Sequence, residues 1–464
     1  MGLKEWLKDI SVPVYFLVMM FGMSSWIDIN GLWTELPLLV DLLPEGWDLP
    51  SYIVILIQVA NIGPLVFTIT KLIHPIKLKE WPIIYMIIAT GSISCLLLAF
   101  LWDRTTVIQG ASRSTALLAL TAFLSLVDCT SSVVYLPFMG MFKPQYMIAF
   151  YIGEGLCGLV PGIIGLIQGI GSTDCVNGTV TTHNETTGLN ITEWKIQPVY
   201  NPPLFSVQVF FIILFVLIFF SGAAFTLLNF TSFCKKEMIF KDSDMKNGIE
   251  LDTDKSQTNY AFDDAHSPEF NDSHKESIGI AGGTKVSYKT RNVEMWEYVW
   301  LLVVVAWVNG LTNGVLTSTQ SYSSLPYGNR AYNLSNRLST LANPLACFLA
   351  LFVSRKSLSA VNILTFFGTV LAGYQLYLAA MSPNPPLQGE TSGEALCIVT
   401  SVLLTAFFSY VKVEIAQILQ LRGKRALLLC GAFTQVGSCI AAIITFVLVN
   451  VYDVFTASYA DPCP

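Results

Sequence analysis

Phe205–Phe225 reads FSVQVFFIILFVLIFFSGAAF, without a single charged residue. About 20 consecutive apolar residues are what the hydrocarbon core of a bilayer requires. A backbone placed there must satisfy its own hydrogen bonds, so the run is a helix. Ala426–Val449 has the same character. Working outward, similar runs occur at roughly 12–42, 51–73, 81–102, 115–139, 145–171, 204–230, 295–319, 332–353, 357–381, 395–420 and 426–450. Over the 464 residues, 53% are hydrophobic and 12% charged, against about 25% charged in soluble domains. That is too little polar surface to coat a chain of this length in water. The pattern predicts an all-α polytopic membrane protein with eleven transmembrane helices. The first run is too long for a cleaved signal: Lys4, Glu5, Lys8 and Asp9 precede it and no small-residue cleavage site follows. It is expected to stay as one helix.

Two independent signals give an orientation. The polar loop 172–203 carries three glycosylation sequons, at Asn177, Asn184 and Asn190, and such sites are used only on the luminal or outer face. Counting spans then puts the N-terminus in the cytoplasm and the C-terminus outside. Lys and Arg concentrate on the same inner side, 20 residues against 4 outside, as the positive-inside rule expects. The net charge of −6 sits mostly in loops, above all 231–294, and points to no nucleic-acid partner. The middle of that loop, Lys241 to Ser277, is rich in Asp, Ser, Asn and Lys, too polar to bury a core. It is expected to be a disordered cytoplasmic linker between an N-terminal six-helix bundle (1–230) and a C-terminal five-helix bundle (295–464). Ten cysteines stand singly, mostly as small apolar residues. Cys175 and Cys463, both on the outer side, are candidates for a disulfide.

The two bundles share a faint repeat. Asn30-Gly31 matches Asn313-Gly314, Ala60-Asn61 matches Ala342-Asn343, and Ser125–Asp128 matches Ser409–Lys412. The order and near-constant spacing suggest halves of parallel topology, as in major-facilitator transporters. In that architecture helices 1, 4, 7 and 10 line a central cavity.

Those helices hold unusual polar content. Charged groups in a span cost about 2.5–3.5 kcal/mol each on insertion scales, so they mark a functional interior. Asp28 and Glu35, seven residues apart, share one face of helix 1; Trp26, Asn30, Trp33 and Pro37 share the opposite one. The candidate substrate-binding set is Trp26, Asn30, Trp33, Glu35, Gln58, Asn61, Asp128, Thr130, Glu154, Asn309, Asn313, Asn343, Tyr410 and Lys412. Repeat symmetry would set Asp128 opposite Lys412. Against this, an Asn in a membrane helix more often ties helices together than binds cargo. Gly22, Gly31, Gly153, Gly155 and Gly158 read as sites of close helix approach. Aromatic faces with amide donors and acceptors suit a planar heterocycle with a polar edge. Metal binding fits poorly, and so does membrane-embedded enzymology: the four histidines lie in loops or at helix ends, with no HExxH or GxSxG.

Several stretches are specific enough to resemble a family. Ser25-Trp26-Ile27-Asp28-Ile29-Asn30-Gly31-Leu32-Trp33-Thr34-Glu35-Leu36-Pro37 resembles the first helix of the eukaryotic plasma-membrane riboflavin transporters. Gln58-Val59-Ala60-Asn61-Ile62-Gly63-Pro64, Val127-Asp128-Cys129-Thr130, Gly153-Glu154-Gly155, Leu311-Thr312-Asn313-Gly314 and Ser409-Tyr410-Val411-Lys412 extend the likeness over most helices. The resemblance implies a major-facilitator-like six-plus-five fold, similar also to equilibrative nucleoside transporters. It implies sodium-independent uptake of riboflavin, as substrate and not cofactor, by a plasma-membrane protein. Membrane lipids are the other expected partner, and a monomer the expected state. A carrier for nucleosides or another planar heterocycle, and a receptor without transport, are the alternatives.

Overall fold

The computed structural model describes residues 10–75, 77–108, 110–169, 173–183, 190–200, 202–239, 277–281, 284–288, 293–353 and 357–456. Among them ten helices are long and apolar enough to cross a membrane, and one bent pair makes an eleventh if it is counted as one span. That pair replaces the single first helix expected from the sequence. α1 (Val12–Met23) and α2 (Ile27–Leu42) meet at 53°. The break is stable because its freed backbone groups find partners. The hydroxyls of Ser24 and Ser25 each donate, at 2.8 Å, to the carbonyls of Phe21 and Gly22. Ser131 Oγ donates to the Ser25 carbonyl at 3.0 Å. In hydrocarbon, where no water can substitute, these bonds decide whether a helix can be interrupted.

The N-terminal half continues with α3 (Leu49–Ala60), α4 (Ile62–Ile73), α5 (Glu80–Leu101), α6 (Thr115–Met139), α7 (Pro144–Gln168) and α8 (Val207–Phe230). A short α9 (Ser232–Lys235) follows. The C-terminal half begins with α10 (Met295–Asn309), passes through a π-helical segment (Gly310–Leu316) and continues as α11 (Thr317–Ser324). Then come α12 (Asn329–Val353), α13 (Leu358–Ala380), α14 (Thr391–Gln420) and α15 (Lys424–Asn450).

The loops are not all irregular. β1 (Thr106–Ile108) and β2 (Ala111–Arg113) form a small hairpin. Loop 172–203 holds a longer antiparallel one, β3 (Thr173–His183) with β4 (Asn190–Tyr200). Asn177 and Asn190 lie on these strands, whereas Asn184 and Cys463 fall outside the described residues, as does the side chain of Cys175. In the linker, β5 (Ser277–Ala281) pairs with β6 (Thr284–Tyr288), and residues 240–276 are outside the described set. The start of the linker is docked: Ile239 N–H donates to the Met141 carbonyl at 2.8 Å, and Lys143 pairs with Glu237 at 2.7 Å.

Each half is packed tightly within itself, and by the same contact. A Cβ on Gly153 would stand 2.1 Å from the Met19 carbonyl oxygen and 3.1 Å from Gly22 Cα. One on Gly437 would stand 2.1 Å from the Ala306 carbonyl oxygen. The pair Gly437 and Ala306 is the pair Gly153 and Gly22 shifted by 284 residues, within the 282–284 spacing of the sequence repeat. Gly158 differs from expectation: a Cβ there would make ordinary contacts with Thr340 at 3.5 Å and Asn30 Nδ2 at 3.9 Å.

Between the halves, packing is concentrated at one end. In α6 every residue from Val133 to Met139 is buried, and in α14 every residue from Val413 to Gln420. In α7 the stretch Tyr146–Gly153 is buried, but the second half of the helix only intermittently. At this end Gln420 Nε2 donates to the Phe142 carbonyl at 2.8 Å and Gln435 Nε2 to Ser132 Oγ at 2.8 Å. Gly431 lies flat on the Ser132 backbone. Toward the opposite end burial is sparse, with Pro37, Asp41 and Leu42 of α2 and Asn336, Arg337 and Leu338 of α12 exposed. Large apolar side chains such as Phe219, Phe220, Phe366 and Ile440 are exposed around the outside, the surface a bilayer would cover. A recess of about 440 Å³ between Trp296, Val299, Trp300, Val303 and Asn362 belongs to that outer flank and is almost wholly apolar.

Candidate functional site

Just above the closed end, polar side chains from both halves come together. α2 enters this region directly after its break, which turns one face inward and the other to the seam. Asp28 and Glu35 are buried inside the N-terminal half; Trp26 and Asn30 are half-buried and Trp33 is 36% exposed. Asn30 Nδ2 donates to Cys157 Sγ at 3.2 Å. One turn earlier on α7 is Glu154, whose carbonyl accepts from Cys157 Sγ at 2.7 Å. From the C-terminal half, Lys412 on α14 brings its positive charge near Glu154, with Nζ 3.5 Å from Thr312 Oγ1. Cys347 of α12 lies beside both charges, and its Sγ is 3.8 Å from Asn343 Oδ1. α7 and α12 can approach so closely because Gly155 faces the Pro344 backbone, leaving only 2.9 Å for a Cβ. Trp26 Nε1 and Gln435 Nε2 both donate to Ser132 Oγ, at 3.4 and 2.8 Å, bridging the halves a second time.

The structure thus gathers Trp26, Asn30, Glu154, Asn343 and Lys412; Tyr410, half-buried and two residues from Lys412, lies on a different face of α14. It separates others. Asp128 does not face Lys412: it lies against Asp28 inside the N-terminal half, because α6 turns that face toward α2. Glu35 Oε1 accepts from Gln168 Nε2 at 3.0 Å, tying α2 to the end of α7. Asn309 Nδ2 donates to the Val305 carbonyl at 2.8 Å and stands 3.4 Å from Thr434 Oγ1, and exposed Asn313 is 3.3 Å from Ser438 Oγ. Both join the first and last helices of the second half. Thr130 donates to the Leu126 carbonyl and fills the space at Gly63. Gln58 and Asn61 form a pair of their own, Asn61 Nδ2 to Gln58 Oε1 at 3.4 Å, half-exposed where α3 meets α4. Sequence reasoning did not anticipate Cys157, Cys347, Thr312 or Ser132; small residues of these types look alike in any apolar run.

A backbone made of two helical bundles, packed at one end and parted at the other around a polar seam, has close structural company. The proton:xylose symporter XylE of the major facilitator superfamily superposes with a TM-score of 0.58 at 9% identity, over 97% of this chain and 91% of XylE. The transporter FucP, in its outward conformation, gives 0.52 at 12% identity, over 95% and 92%. These likenesses show the major-facilitator fold. In sequence, the model of solute carrier family 52, riboflavin transporter, matches residues 10–457. The chain belongs to this family. Solute carrier family 52, riboflavin transporter, member 3-A of Danio rerio is 43% identical over 96% of this chain and 97% of its own length. Human member 3 is 38% identical over 97% and 98%, and human member 2 is 35% identical over 97% and 98%. Membership of solute carrier family 52 and the transporter fold make this a carrier and not an enzyme, as the histidine placement suggested.

Proposed function

We propose that this protein carries riboflavin across the plasma membrane by alternating access, without sodium, using the seam between its halves as the cargo site. The observation that carries the reading is the cluster of Asn30, Glu154 and Lys412 drawn from both halves, above a closed end. A site shared by both bundles is one whose access changes when they rock. The uracil-like edge of the flavin suits amide donors and acceptors, its rings suit the faces of Trp26 and Trp33, and its ribityl hydroxyls suit a carboxylate. Gln58 and Asn61 stand half-exposed in the middle of the span Leu49–Ile73 and are proposed as further cargo contacts.

The closed end carries Lys71, Lys143, Arg422, Lys424 and Arg425, the side that faces the cytoplasm under the positive-inside rule. The parted end then opens outward, on the side of the three sequons, with glycans expected there. Uptake of labelled riboflavin into cells, competed by excess unlabelled riboflavin but not by nucleosides and unaffected by replacing sodium, tests the function. Among variants that reach the surface, Asn30→Ala, Gln58→Ala and Asn61→Ala are expected to lower uptake, about threefold to thirtyfold each, as loss of one or two hydrogen bonds to cargo predicts. Normal uptake by all three would refute the site.

A further inference from the structure

At the break of the first span, two carboxyl groups face one another away from water. Asp28 is 2% exposed and Asp128 is fully buried, and the two side chains are within hydrogen-bonding reach of each other. Asp28 Oδ1 also accepts from the Ile29 N–H at 3.0 Å. Its Oδ2 lies over Gly91 of α5, where a Cβ would come within 3.3 Å. Apart from Asp28, no donor among the described residues reaches either oxygen of Asp128. The ionisable groups facing the pair are Cys95 from α5, Cys129 and Tyr135 from α6 itself, and Cys157 from α7. None is a cation. α8 contains no ionisable side chain. α3, α4 and α15 also pack on α6, but Lys71 and Lys424 of these helices face Glu80 instead.

Two carboxylates in contact in a dry interior cannot both be charged, since like charge and lost hydration act together. With one proton between them, a neutral acid donates to the remaining carboxylate and one of the two orphaned Asp128 oxygens gains a partner, as in the paired aspartates of some proteases. We propose that Asp28 and Asp128 form a proton-binding site whose loading and emptying are coupled to transport through α2. The step is a simple transfer: hydronium gives its proton to a carboxylate oxygen, an O–H bond forms, and water remains. A sodium ion would need more oxygen ligands than two side chains supply; among the described residues no cluster of three or more metal-ligating side chains occurs.

The pair is placed to be felt at the cargo site. Asp28 opens α2 immediately after the break, and Asn30, two residues on, is the α2 side chain that reaches the seam. A change in how tightly α2 is held to α6 therefore moves a cargo contact. This coupling rests on the function proposed above, but proton binding itself does not.

Two measurements test it. In purified full-length protein without riboflavin, infrared spectra are expected to show a protonated-carboxyl stretch that is unaffected by sodium and lost in the Asp28→Asn/Asp128→Asn double variant. In proteoliposomes, an inward gradient of one pH unit is expected to raise wild-type accumulation up to roughly tenfold for one proton per riboflavin. The ratio of uptake with and without the gradient should fall to about one in Asp28→Asn and Asp128→Asn, whatever their absolute rates. A carboxyl stretch that persists in the double variant, or that sodium abolishes, overturns the site. An unchanged gradient ratio in both single variants overturns the coupling. Wild-type vesicles that take up no riboflavin would count against the cargo, and the infrared result alone would then decide the proton site.

Discussion

Gly431→Val is expected to cut riboflavin uptake roughly tenfold or more, while surface protein stays within about twofold of wild type. The position is where α15 of one half lies on the backbone of α6 of the other: a Cβ would stand 2.2 Å from the Ser132 carbonyl oxygen. Backbone cannot retreat as a side-chain tip can, so the halves must part. Overpacking of this kind costs about 1–3 kcal/mol. That cost falls on the state in which this end is closed, and it moves a two-state balance by roughly fivefold to over a hundredfold. The helices of each half remain packed in either state, so folding is spared. Gly153→Val is the contrasting case. Its Cβ would collide with the Met19 carbonyl at 2.1 Å, a contact inside the N-terminal half that no rocking relieves, so the expected loss is of surface protein itself. Surface labelling with uptake in the same cells separates the two. Normal uptake by Gly431→Val would mean that this seam does not open during transport.

The second large effect is expected at the charge pair of the cluster. Removing Lys412 alone, as Lys412→Met, leaves Glu154 facing Cys347 and Cys157 without its neighbouring cation. Stranding one partner of a fully buried pair costs about 3–5 kcal/mol; both residues here are half-buried, and screening from the open end reduces that figure. Surface protein should drop in Lys412→Met and recover in the double variant Glu154→Gln/Lys412→Met, because two neutral groups impose no stranded charge. Uptake should stay low in the double variant, since the cargo has lost both charged contacts. Quantifying surface protein and uptake across the double-mutant cycle distinguishes these roles. Full uptake by the double variant would remove the pair from the cargo site.

How far the site was legible in the sequence follows from what each residue's position depends on. Asn30 and Glu35 are five residues apart on one helix, and helical periodicity alone puts them on different faces. Their assignment to seam and interior then needed only one neighbour. Asp128 is different. Repeat spacing aligned it with Lys412, but the rotation of α6 about its axis is set by how Gly63 accommodates Thr130 and by the Ser131 bond to the broken first span. No periodicity encodes that rotation. Thr130, Asn309 and Asn313 illustrate a second limit: an amide or hydroxyl that binds cargo and one that satisfies a helix carbonyl have the same side chain, and only their neighbours differ.

By itself, the sequence determined that the chain is a polytopic helical membrane protein with ten to eleven candidate spans, and which residues fall in them. Those properties follow from hydrophobic run length and backbone hydrogen bonding, both local in the chain. The tertiary structure decided where the first span breaks, that one end of the seam is shut, and that Asp28 pairs with Asp128 while Lys412 stands near Glu154. These depend on helix rotation and on close backbone approach at glycines such as Gly153, Gly155 and Gly431, which are fixed by contacts between residues far apart in sequence.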